Sequence, residues 1–219
     1  MNSNDDIRDS FPTLEEIPEK YRLRAPVYQK QILLRSEIRE NIVSAALSIA
    51  KISGWPSLSM RKLAAFIGCS VPLLYGYFEN KEAILMELTR LGFSRLEQSI
   101  KNAEKQFTDP AKRLKNMWMA YWEFAFADKE SYQLMFGIGI HCCDQMSGHL
   151  SQYFVSTIKS VLKINMESEV DDNFVLIRFY GYWAAIHGLV AINFLNKENC
   201  PRLNQNVLNY ALNEVVVSN

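Results

Sequence analysis

Three sets of side chains in this sequence could do chemistry, and each suggests a different kind. His141-Cys142-Cys143 with His149 offers two imidazoles and two thiols that could ligate a soft metal or act as a redox sensor. Adjacent cysteines fit poorly the two-residue spacing of structural zinc sites, and nothing nearby clearly lowers a thiol pKa. Two small buried hydrophobes are the plainer reading, and no metal is expected. The second set is basic. Residues 20–95 carry twelve Lys and Arg against five Glu, a net of +7, in a chain whose 24 cations and 24 anions otherwise cancel. That block is a candidate anion-binding domain, and within it Lys81 beside a helix start is an anion site on physical grounds. The third set is rich in aromatics: Trp118, Tyr121, Trp122, Phe126, Met135, Phe136, Tyr153, Phe154, Tyr182 and Trp183. No nucleophile–base pair, Gly-rich phosphate loop or credible metal set accompanies them, so neither an enzyme nor a resident cofactor is expected.

The elements that must position these groups read as helices almost throughout. Hydrophobic residues at 48% exclude a disordered chain. Residues 1–28, with three Pro and many charges, read as a mobile tail, and their acidic start, without an apolar run, does not look like a leader. Ile38, Ile42, Ala45, Ala46 and Ile49 make a helical stripe. Ser59 caps a short helix that Gly68 ends, and Ser70 caps another with Pro72 in its first turn. Asn80 caps a helix from Lys81 toward Phe107. Asp109-Pro110 opens the next, roughly Ala111 to Ala127. Helices near Glu130–Phe136 and Asp144–Ile164 follow, then an uncharged one over Phe179–Asn196 and a last one near Asn204–Val216. The expected class is all-α: a small N-terminal unit over 29–95, followed by a larger helical bundle over 96–219.

Residues 60–78 fit helix-turn-helix geometry. It needs a small residue where two helices cross, a Gly able to take positive φ, and apolar residues locking the second helix. Ala64, Gly68 and Leu74 occur in that order, with Leu63, Ile67 and Phe78 as expected contacts. An ordinary helical hairpin is the alternative. The stretch from Ile38 to Leu85 resembles the DNA-binding domain of TetR-family transcriptional regulators, in Ser59-Met60-Arg61-Lys62-Leu63-Ala64, Gly68-Cys69-Ser70, Leu74-Tyr75-x-Tyr77-Phe78 and Asn80-Lys81-Glu82-Ala83-Ile84-Leu85. Trp183-x-x-x-His187-Gly188 is similar to a subgroup with a Trp…His-Gly C-terminal helix.

The resemblance implies a cytoplasmic regulator, a repressor, that binds double-stranded operator DNA as a homodimer and is released by a small-molecule effector. It implies that Arg61 lies at the groove edge, that Ser70, Val71, Pro72 and Leu73 face base edges, and that Tyr75, Tyr77 and Lys81 hold phosphates. The family often has Thr at position 73 and His at 77. The helix 71–76 carries no Asn, Gln, Arg or Lys, so readout would lean on thymine methyls and DNA shape. The stretch Lys20, Arg22, Arg24, Lys30 and Arg35 reads as a basic arm ahead of the first helix, able to touch the backbone or minor groove.

In the bundle, aromatics with polar tips suit an apolar or aromatic ligand, with Trp118, Trp122, Tyr153, Trp183 and His187 as candidate contacts and Asn193 as another polar group. The uncharged helix approaches membrane-span length, but its His187, Asn193 and Asn196 favour a helix buried on more than one side rather than a membrane span. Gly181, Ala184, Ala185, Gly188, Ala191 and Ile192 form a stripe on it, five of the six small. Such a stripe invites close approach of a symmetry mate, completed by Val207, Leu208, Ala211 and Val215 of the last helix. The alternative functions are a helical interaction module or a redox or metal sensor using Cys142 and Cys143.

Overall fold

The computed structural model describes residues 25–137, 143–165, 170–195, 204 and 206–210, with side chains at all of these except 25–33, 143–150 and 165. His141 and Cys142, and the side chains of Cys143 and His149, lie outside the described residues, as do Ala211 and Val215. The described chain is all-α: α1 (Ala25–Ser53), α2 (Met60–Ile67), α3 (Val71–Tyr75), α4 (Lys81–Glu104), α5 (Pro110–Ala127), α6 (Lys129–Phe136), α7 (Cys143–Asn165) and α8 (Asp172–Leu195). A 3-10 turn over Trp55–Ser57 joins α1 to α2, and residues 206–210 are helical.

Local chemistry sets the boundaries. The Ser59 hydroxyl accepts from the Lys62 amide, Ser70 from Leu73, Asn80 from Ala83 and Asp109 from Lys112. Each cap satisfies an otherwise orphaned amide and contributes about 1 kcal/mol. Gly68 ends α2 at φ 78°, ψ 34°, in the left-handed region where glycine bears no Cβ penalty. α1 begins at Ala25, so Lys30 and Arg35 belong to the helix and not to an arm ahead of it. Lys20, Arg22 and Arg24 lie outside the described residues.

Two cores form. Ile42, Ala46, Ile49, Leu58, Leu63, Leu74, Phe78, Ile84 and Leu88 make the first, and Leu134 of α6 joins them. The second gathers Phe93, Leu96, Ile100, Met117, Trp118, Tyr121, Tyr132, Met135, Phe154 and Phe179, among others. α4 passes through both, crossing the expected boundary at residue 95 without a break. Ile67, expected between the two short helices, is 37% exposed at the last position of α2, where Gly68 turns the chain away.

α8 is long and apolar enough to cross a membrane by length and composition. It is not buried on several sides. Val175, Phe179, Tyr182, Ile186 and Val190 bury one line, with Phe174, Trp183, Leu189 and Phe194 half-buried beside it, and the opposite face is left uncovered by the described residues.

Candidate nucleic-acid interface

α2 and α3 sit at the edge of the first core, anchored by Leu63, Ala64 and Leu74. Their outer face carries Arg61, Ser70, Pro72, Leu73 and Tyr75, all exposed, with Leu73 at 51% and Tyr75 at 52%. Val71 and Tyr77 are half-buried against the core. Lys81, half-buried, stands in the first turn of α4 directly after the Asn80 cap. An exposed Leu beside an exposed Tyr forfeits burial, which is sensible where a partner later covers both.

The turn after α3 returns its amides to the helix, Gly76 N–H to the Leu73 carbonyl and Tyr77 and Phe78 N–H to that of Leu74, and α1 closes the carbonyls of the turn itself. Arg35 donates from Nη2 to the Gly76 carbonyl (3.1 Å) while its guanidinium lies 5.8 Å from the Tyr77 ring centroid. Arg39 donates to the Tyr77 carbonyl and stacks 4.1 Å over the Phe78 ring. Two cations thus close the C-terminal end of α3, where the helix dipole favours positive charge. Arg39 escaped the sequence reading. Its signal was a cation four residues after Arg35, on the same face of one helix.

The bundle interior holds the aromatic candidates. Trp118 is fully buried, stacked on Phe154 at 3.9 Å, and its indole N–H has no partner among the described residues. Trp122 is half-buried beside Phe126 (4.6 Å), and Tyr153 donates to Glu97 (3.1 Å). The polar tips of the others meet one another. Trp183 Nε1 donates to the Tyr121 hydroxyl (3.0 Å), Tyr121 and Tyr132 share a hydrogen bond (2.9 Å), and Tyr132 meets His187 Nδ1 (2.5 Å). Desolvation raises both phenol pKa values and lowers that of His187. Asn193 is engaged elsewhere, in a reciprocal amide pair with Asn204 and with the Leu189 carbonyl. Among the described residues no group of His, Cys, Asp or Glu could hold a metal.

α6 touches both regions. Tyr132 and Met135 enter the second core while Leu134 enters the first, and Trp55 Nε1 donates to the Glu130 carbonyl (2.9 Å). Gly92 of α4 lies so close to α6 that a Cβ there would stand 2.6 Å from Met135 Sδ. Trp55 was not singled out from the sequence, because its partner lies 75 residues away.

Residues 42–88 match the model for bacterial regulatory proteins of the tetR family. The chain carries a TetR-family DNA-binding domain. A curated relative is the HTH-type transcriptional activator FasR of Mycolicibacterium smegmatis, 27% identical over 104 residues. That stretch is 48% of either protein, so the chain spans about half the length of the relative it matches. Two solved structures share the fold over most of both chains. A Rhodococcus protein of unknown function has a TM-score of 0.66 at 23% identity, covering 81% of this chain and 93% of its own. The TetR-family regulator PfmR of Thermus thermophilus has a TM-score of 0.62 at 17% identity, covering 81% and 99%.

The small-residue stripe of α8 is open among the described residues. Gly181, Ala184, Ala185 and Ala191 are exposed, Ile192 is 55% exposed, and a Cβ added at Gly181 or Gly188 meets nothing within 4 Å. Packing of this face against another helix of the same subunit is thereby ruled out among the described residues. Leu208, expected to help form an interface, is instead fully buried in the second core, whereas Val207 is 40% exposed. The helical register turns one neighbour inward as it turns the other out.

Proposed function

We propose that this DNA-binding regulator is a repressor that holds a palindromic operator as a homodimer and is released by a small apolar or aromatic effector. It acts in the cytoplasm and performs no catalysis. The observation that carries the ligand response is α6, which places Tyr132 in the aromatic network and Leu134 in the core of the DNA-binding domain. A displacement at one end of so short a helix is felt at the other, because both cores are close-packed. The uncovered α8 face supports the homodimer, since an apolar stripe of that length is a liability unless a second copy covers it.

On this reading Arg61, Ser70, Pro72 and Leu73 approach the major groove, with Val71 at its margin, and Tyr75, Tyr77 and Lys81 hold phosphates. Trp122, Tyr153, Trp183 and His187 border the effector. Trp118, wholly enclosed, shapes its wall. A second reading, activation, is favoured by the name of the relative FasR, a transcriptional activator. Mobility shift of the DNA upstream of its own gene, titrated with the purified protein, tests the DNA-binding reading. Retardation that resists nonspecific competitor supports it, and none at micromolar protein and physiological salt refutes it. Repression or activation then follows from a reporter fused to that DNA.

A further inference from the structure

We infer that His187 is a hydrogen-bond donor to the effector, through Nε2–H, and that the effector is an uncharged apolar molecule bearing a carbonyl-type acceptor. The inference rests on the effector-responsive reading above and names the chemistry of its ligand. The polarity of the network starts at Trp183, whose indole N–H can only donate. It donates to the Tyr121 oxygen at 3.0 Å. The single Tyr121 hydrogen then goes to the Tyr132 oxygen at 2.9 Å, its nearer neighbour, His187 Nδ1 being 3.4 Å away. The Tyr132 hydrogen goes to His187 Nδ1. Each hydroxyl accepts once and donates once, and Nδ1 is an acceptor. The imidazole proton therefore sits on Nε2. The opposite polarity would aim two donors at Tyr121 and leave its own hydrogen without an acceptor, in a residue that is 1% exposed. Such an orphaned donor costs about 1–3 kcal/mol.

His187 Nε2–H has no acceptor among the described residues. The half-buried ring lies among the rings of Phe136 (5.2 Å), Tyr132 (5.7 Å) and Trp183 (6.4 Å). Among the described residues the buried Trp118 N–H is a second donor without an acceptor, and the other such buried atom, Asp128 Oδ1, belongs to a carboxylate already paired with Arg95. A ligand that completes this region brings an acceptor, not a donor. The surrounding rings demand an apolar body, and a formal charge among them would carry a large desolvation cost. Tyr132 and Trp183 are positioning residues: they act by holding the His187 tautomer.

The test uses the full-length protein labelled with ¹⁵N at histidine, with His187 assigned by comparison with His187→Gln. Long-range ¹H–¹⁵N correlations report the tautomer. Two probes of nearly equal shape, acetophenone and α-methylstyrene, are titrated while the His187 signals are followed. The expected result is Nε2–H, with the ketone bound about tenfold more tightly than the alkene. Tyr132→Phe, shown to be folded by circular dichroism, should lose the fixed tautomer and reduce that preference to below about threefold. Protonation at Nδ1, equal binding of the two probes, or no binding of either at millimolar concentration overturns the inference. Ketone preference without any change in operator affinity would uphold the donor role and refute the effector reading instead.

Discussion

If the proposed homodimer meets through α8, Gly188→Leu should separate the two subunits. Inside the subunit a Cβ at this position meets nothing within 4 Å, so the new side chain enters open space. Replacing an uncovered mid-helix Gly by Leu should raise subunit stability by about 0.5–1 kcal/mol through helix propensity alone. Across a two-fold axis the effect reverses. Two Leu side chains enter a seam built for hydrogen atoms, and overpacking costs about 1–3 kcal/mol per insertion. The dimer loses about 2–6 kcal/mol, which raises its dissociation constant from roughly thirtyfold to above ten-thousandfold. Sedimentation velocity across a concentration series reads the assembly, and thermal unfolding reads the subunit. A folded monomer with greatly weakened operator binding is expected. A dimer of unchanged affinity would refute the reasoning, because the stripe would then lie away from the seam.

Three further outcomes are expected. Lys81→Ala should weaken DNA binding across all sequences and flatten its dependence on salt by about one phosphate contact per subunit; an unchanged slope removes Lys81 from the interface. Trp55→Phe removes the donor to the Glu130 carbonyl and should lower the unfolding free energy by about 0.5–1.5 kcal/mol in chemical denaturation, whereas no change would show the tie carries no stability. His187 has its pKa depressed below 6.5 by desolvation, so as pH falls the unfolded chain takes up the proton first. Stability present above about pH 6.5 is lost below it, and His187→Gln should lose less melting temperature between about pH 7.5 and 5.5 than the parent. Equal losses would exclude this histidine as the cause.

What the sequence revealed was mainly local. Ser59, Ser70, Asn80 and Asp109 each announce a helix start because the capping oxygen and the amide it receives lie three residues apart. Gly68 announces the turn for a similar reason, since no other residue takes its φ without strain. The aromatic candidates were visible by type but not by partner. Tyr132 and His187 lie 55 residues apart and Trp183 and Tyr121 lie 62 apart, so which polar tip meets which is decided only by packing α5, α6 and α8 together. Distance in sequence also hid Trp55 on Glu130. The start of α1 was missed on other grounds. Its apolar stripe begins only at Ile38, and residues 34–37, which bear Arg35, are exposed. Periodicity therefore reports where a helix begins to touch the core, not where its hydrogen bonds begin.

The proposed function requires a helix-turn-helix presented twice by a two-fold dimer. Selection of bound fragments from a random double-stranded DNA pool by the purified full-length protein tests this most directly. The expected product is an inverted repeat whose half-sites are separated by about one helical turn or a multiple of it. Parallel selections with Leu73→Ala should alter the base preference inside each half-site and leave the spacing intact. Enrichment of a single unrepeated site, or of no sequence at physiological salt, would contradict the account.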